Sequence, residues 1–148
     1  MKKAVFISLI TIVLLSFTNP GDLHWYSLKD GMELARKENK PVFLFVYVSW
    51  CDKCQRMDKK VFPNNLVRPL IEENFVPIRL NPETDTAYIR NDKLIDKKIF
   101  LREVSEGKFM LGVPRIVMFN ERSNEKLAFD GLQAPEELKG NILEFLKK

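Results

Sequence analysis

The chain has 148 residues but only two cysteines and one histidine. That scarcity excludes a disulfide scaffold, which needs several bridges, and leaves no full Cys/His set for a structural zinc ion. His24 lies far upstream of both thiols and cannot complete a metal site alone. Charge of one sign is scarce as well: 24 basic residues face 20 acidic ones, a net charge of +4. The signs alternate and form no basic block, so nothing points to nucleic acid as a partner. No internal repeat and no low-complexity linker interrupts the chain. Its length and its 45% hydrophobic content fit one domain with an ample core.

What is there is concentrated at Trp50-Cys51-Asp52-Lys53-Cys54. The two thiols stand three apart, directly after the apolar run Pro41 to Val48, which has the length and composition of a buried parallel strand. Residues i and i+3 of a helix are neighbours, with Cβ atoms about 5–6 Å apart, so the sulfurs can bond after modest adjustment. The first thiol then sits at a helix start, where free N–H groups and the macrodipole favour the thiolate, the species that attacks disulfides. As a staple the pair is poor. A four-residue loop yields only about 2 kcal/mol on chain-entropy grounds, against about 4–5 for a loop of order a hundred residues. A redox dithiol is therefore the favoured reading, with a metal pair and a merely structural pair as its rivals. Asp52 and Lys53 are the candidates for tuning the thiolate, and their opposite charges largely cancel.

Downstream, Gly112-Val113-Pro114 leads into the β-type run Arg115 to Phe119. A proline opening a strand loses nothing by lacking an N–H, and its peptide bond is either an ordinary trans one or cis. Elsewhere, Ser27 can cap a helix through Lys37 that Asn39 and Pro41 end. The Cys51 helix runs to Phe62, and a second helical piece spans Leu66 to Glu73. Phe75 to Leu80 reads as a strand. Ile116–Phe119 and Lys126–Phe129 read as a hairpin. The last helix opens at Pro135, with Leu138, Ile142, Leu143, Phe145 and Leu146 as its buried stripe. Between Pro82 and Met110 the spacing of Leu94, Ile95, Ile99, Phe100 and Val104 predicts a helix around Asp92 to Ser105, preceded by an exposed loop from Asp85 to Arg90.

At the N-terminus, Lys2 and Lys3 precede an apolar stretch from Ala4 to Phe17. It is short for a transmembrane helix and shaped like the core of a signal peptide. Residues 1–20 are read as a signal peptide or N-terminal anchor, and residues 21–148 as the folded domain. Export places the protein in the periplasm or another extracytoplasmic space, where most cysteine pairs are structural. A lone Cys-x-x-Cys is there a working pair, and it needs a membrane-borne electron partner because no glutathione pool maintains it.

Together the Lys40-Pro41 strand, Trp50-Cys51-x-x-Cys54 and Gly112-Val113-Pro114 resemble the thioredoxin superfamily. The segments Val61-Phe62-Pro63-Asn64 and Asn74 to Leu80 are similar to those of its secreted bacterial thioredoxin-like thiol–disulfide oxidoreductases. The resemblance implies an α/β thioredoxin fold: a central mixed sheet flanked by helices on both faces, here with an enlarged helical insertion before a cis-proline loop at Pro114. It also implies that Cys51 is the exposed nucleophile and Cys54 the buried resolving thiol. Trp50, Val113 and Pro114 would bind substrate, with Trp50 a lid packed over the disulfide. One departure stands out. Phe45 occupies the strand position, six residues before the first cysteine, where thioredoxins carry a buried acid. Arg79 sits where the family often places a basic residue, or is simply charge at a strand end. The implied function is exchange with protein disulfides by an exported monomer, as reductant, recharged by a membrane thiol carrier, with no cofactor beyond the Cys51–Cys54 disulfide. The alternatives are a disulfide oxidase or isomerase, and a Cu(I)-binding module on the same fold.

Overall fold

Ser27 starts the first helix, α1 (Leu28–Glu38), by accepting the Asp30 N–H on its hydroxyl at 3.1 Å. Asn39 ends it in the left-handed region at φ 55°, a conformation that asparagine tolerates. The computed structural model describes residues 22–85, 88–90, 93–104 and 112–148. Strand β1 (Val42–Val46) follows α1 and is buried along its whole length. Helix α2 (Asp52–Arg56) continues into a π-helical turn, Met57–Val61, where the Phe62 N–H reaches back to the Met57 carbonyl at 3.0 Å. Next come α3 (Arg68–Asn74), β2 (Val76–Leu80), β3 (Tyr88–Arg90), β4 (Lys93–Ile95) and α4 (Lys97–Val104). The chain closes with β5 (Arg115–Phe119), β6 (Lys126–Asp130) and α5 (Pro135–Leu146).

The main sheet has the order β2-β1-β5-β6. β1 is parallel to β2 and antiparallel to β5, and β5 is antiparallel to β6, so the sheet is mixed. Tyr26 adds an isolated parallel bridge to Ile78 outside β2. Alternation along β1 divides the core in two. Phe43 and Phe45 join Cys54, Met57, Ile71, Leu138 and Ile142 on the face covered by α2, α3 and α5. Leu44 and Val46 join Met32, Ala35, Phe100 and Leu101 on the face covered by α1 and α4. Both faces of β1 are thus covered, which is why its sequence is a continuous apolar run rather than an alternation.

The insertion departs from expectation. Leu94 and Ile95 lie in β4, which pairs with β3 as a small antiparallel hairpin, so α4 begins only at Lys97. The stretch expected to be an exposed loop up to Arg90 therefore ends in a strand. Strand pairing overrides a helical spacing that two adjacent apolar residues satisfy equally well. On α5 the buried stripe is narrower than predicted: Leu138, Ile142 and Phe145 are buried, whereas Leu143 and Leu146 are 37% and 38% exposed. Each of these two is rotated about 100° from the buried residue before it, which carries it off the core face. The expected N-terminal segment, residues 1–20, and Ser105 to Met110 lie outside the described residues. Among the described residues no helix is long and apolar enough to cross a membrane.

Candidate redox site

Cys51 is the residue before α2, with an extended backbone (φ −84°, ψ 106°), and its sulfur accepts the Cys54 N–H at 3.2 Å. The two sulfurs are bonded, with Cα atoms 5.2 Å apart. Cys54 is 1% exposed and Cys51 only 7%, so the expected exposed nucleophile is instead buried when the pair is bonded, though less than its partner. The bond to Cys54 draws its side chain into the cluster that contains Val48, Met57 and Phe45. Asp52 and Lys53 are both exposed at the tip of the motif.

Trp50 does not cover the disulfide. It is 71% exposed, and its indole N–H donates to Glu83 Oε1 at 3.2 Å. The turn after β2 accounts for this outward pose. Buried Asn81 accepts the Glu83 N–H at 2.9 Å on its side chain, and its own N–H donates to Asp85 Oδ2 at 2.6 Å. Its amide also reaches Ser49 Oγ at 3.4 Å. The turn so built holds the Glu83 carboxylate where the indole finds it. On the loop before β5, the Val113–Pro114 peptide bond is cis. Pro114 is buried and accepts the Gly131 N–H at 2.8 Å. Val113 is half-buried and packs against the cluster that holds both cysteines.

Asp58 is the residue that the sequence reading missed. Phe45, at the strand position where thioredoxins carry an acid, pairs in register with Arg79 across β1 and β2. Arg79 is not loose charge at a strand end: its Nη2 donates to Asp58 Oδ2 at 2.7 Å. Its guanidinium lies 4.4 Å from the Tyr47 ring centre and 5.6 Å from that of Trp25, within cation–π range. Burial pushes the Asp58 carboxyl above its ordinary 3.8. The charge and hydrogen bond of Arg79 oppose that shift without cancelling it, and Asp22 adds to it. In the sequence Asp58 stands among the charges Asp58-Lys59-Lys60, and nothing there singles it out. Among the described residues no group of three or more His, Cys, Asp or Glu side chains could hold a metal ion.

The arrangement suits thiol–disulfide exchange: two bonded sulfurs at the start of α2, the first less enclosed than the second, in the cluster against which Val113 packs. A family profile described as thioredoxin-like matches residues 24–121. Human spermatogenesis-associated protein 20 is 37% identical over 76 residues, 48% of this chain but only 9% of that protein's length. A putative disulphide-isomerase from Bacteroides thetaiotaomicron superposes with a TM-score of 0.63 at 21% identity, covering 86% of this chain and 95% of its own. A thioredoxin from Thermus thermophilus gives 0.57 at 18% identity, covering 86% and 87%. At these identities the two structures share the fold with this chain.

Proposed function

The chain belongs to the thioredoxin-like family, and from that membership we propose that it exchanges dithiol for disulfide with protein substrates through Cys51 and Cys54. The observation that carries this reading is the Cys51–Cys54 bond itself, made at a helix start by the only two cysteines of the chain. Cys51 attacks the substrate disulfide, because it is the less buried of the two residues and its sulfur, at the start of α2, accepts the Cys54 N–H. Cys54 then resolves the mixed disulfide. Val113 presents backbone to an extended substrate, and the exposed face of Trp50 gives it an apolar surface. We further propose that the protein is exported by its N-terminal segment and works as a monomeric reductant recharged by a membrane thiol carrier.

Reduction of a disulfide-bonded protein such as insulin, driven by dithiothreitol, tests the activity. The wild-type protein should accelerate it, Cys51→Ser should abolish it, and Cys54→Ser should accumulate a mixed disulfide visible on a non-reducing gel. If wild type and Cys51→Ser match the uncatalysed rate alike, the exchange reading fails.

A further inference from the structure

Strand β5 opens on a charge where its face of the sheet is otherwise apolar. Arg115, Val117 and Phe119 alternate onto the face covered by α1 and α4, and Val117 and Phe119 belong to the core there. The Arg115 side chain is only 7% exposed. Its Nη1 donates to Asp130 Oδ1 at 2.7 Å, while its Nε is buried and has no hydrogen-bond partner among the described residues. Enclosing a guanidinium with one donor unmet costs free energy, and an apolar side chain of similar volume often serves stability as well or better. Stability does not explain this charge.

Its place in the chain does. Arg115 directly follows Pro114, at the end of the loop whose Val113 backbone is offered to substrate. It stands opposite Val46 on β1 and opposite Asp130, the last residue of β6. The next residue, Gly131, turns the chain at φ 88°, where glycine is favoured, and gives its N–H to the Pro114 carbonyl at 2.8 Å. The ion pair and that hydrogen bond therefore join the same two chain segments, one residue apart on each. Ile116 and Met118 point to the cluster that holds the cysteines, whereas Arg115 points to the opposite face, so its charge is not aimed at the sulfurs. What it can reach is the loop.

We propose that Arg115 and Asp130 are positioning residues that fix the Val113–Pro114 main chain to receive an extended polypeptide. The proposal rests on the exchange activity given above, and it adds a selectivity. With the pair intact, Gly131 is held at the Pro114 carbonyl and the Val113 backbone keeps one geometry. Without it the loop drifts, and a misplacement of about 1 Å costs up to about 100-fold where alignment counts. Only a substrate that pairs with the loop feels this; a small disulfide that meets the sulfur alone does not.

Two substrates separate the roles. Arg115→Met removes the charge and keeps the bulk. Its KM for insulin in dithiothreitol-driven reduction should rise about 10-fold, with kcat and the first thiolate release from dithiobis(nitrobenzoate) within about twofold of wild type. Arg115→Lys, which can keep the ion pair, should restore most of the insulin affinity. In Arg115→Met the Gly131 amide should also lose about tenfold of its protection from hydrogen exchange, while the β1 amides keep theirs. A wild-type KM, or unchanged Gly131 protection, overturns the proposal. So does an equal loss on insulin and on the small disulfide, which would mark damage to the dithiol itself. Should Arg115→Met not fold, Asp130→Ala decides by the same two rates, since it opens the guanidinium to water from the exposed side; a wild-type KM there overturns the proposal as well. If the wild-type protein attacks neither substrate, the exchange reading falls and the positioning role falls with it.

Discussion

Asp58 carries its charge where burial opposes one, and this has a consequence for stability. Its folded-state pKa is raised above the ordinary 3.8, with desolvation as the leading cause. Between those two values the folded chain holds a proton that the unfolded chain has released. Stability must therefore fall as pH rises through that window, since the folded state binds more protons there. Urea denaturation across the acid range should show this decline in the wild-type protein and a shallower one in Asp58→Asn. An equal slope in both would mean that the group does not titrate as the geometry requires. Arg79 supplies a companion prediction. The pair is partly buried, with side chains 30% and 28% exposed, so Arg79→Ala should cost about 1–3 kcal/mol, between the ranges for surface and buried pairs. The loss should shrink in an Asp58→Asn background, where no buried carboxylate is left unpaired. At this scale the sequence was legible only in part. Cys51 and Cys54 declare themselves by spacing, whereas Asp58 was overlooked because its partner, Arg79, lies on another element.

Helix α1 shows what periodicity cannot display. Gly31 lies in its first turns, where alanine would be the better helix former by about 1 kcal/mol. A Cβ at Gly31, however, would stand 2.4 Å from Cγ1 and 2.7 Å from Cδ1 of Ile78, and 3.1 Å from Cβ of Tyr26. Ile78 is fully buried in β2 and, being β-branched, is stiff at its first torsion. Gly31→Ala should thus destabilise the fold by about 1–3 kcal/mol through overpacking, read as a lower denaturant midpoint with an unchanged slope. A gain in stability would mean that α1 shifts freely on the sheet. The sequence revealed the elements themselves well: β1 by its unbroken apolar run, α1 by Ser27 and Asn39, α5 by Pro135. It did not reveal which glycine marks a close approach, because that depends on the partner element. The π turn after Arg56 was hidden for a related reason. A single register change leaves Met57 and Val61 buried, as an unbroken α-helix also would. Trp50 was misplaced because its outward pose depends on Asn81 and Glu83, some thirty residues away.

For the whole molecule the open quantity is the direction in which electrons move, and the surroundings of Cys51 bear on it. Strongly oxidising dithiols are those whose reduced form is stabilised through the thiolate. Here the two exposed tip residues, Asp52 and Lys53, carry opposite charges and largely cancel. Cys51 lies in an apolar cluster, an environment that disfavours the thiolate. Among the described residues the Cys54 N–H at 3.2 Å and the start of α2 favour it. With the tip charges opposed and the surroundings apolar, the disulfide is the better-stabilised form, so the potential should be low. We predict a value nearer the thioredoxin figure of about −270 mV than the strongly oxidising figure of about −120 mV. The distance between those figures is about 7 kcal/mol for a two-electron couple, at about 30 mV per 1.4 kcal/mol. Equilibration of the Cys51–Cys54 couple against glutathione or dithiothreitol gives the number directly. A result above about −180 mV, the isomerase range, would assign the protein to oxidation or isomerisation and remove the need for a reducing membrane partner. Asp52→Ala refines the same measurement. Taking a carboxylate from beside the Cys51 thiolate should raise the potential, and it should do so most at low salt, where an exposed charge is least screened.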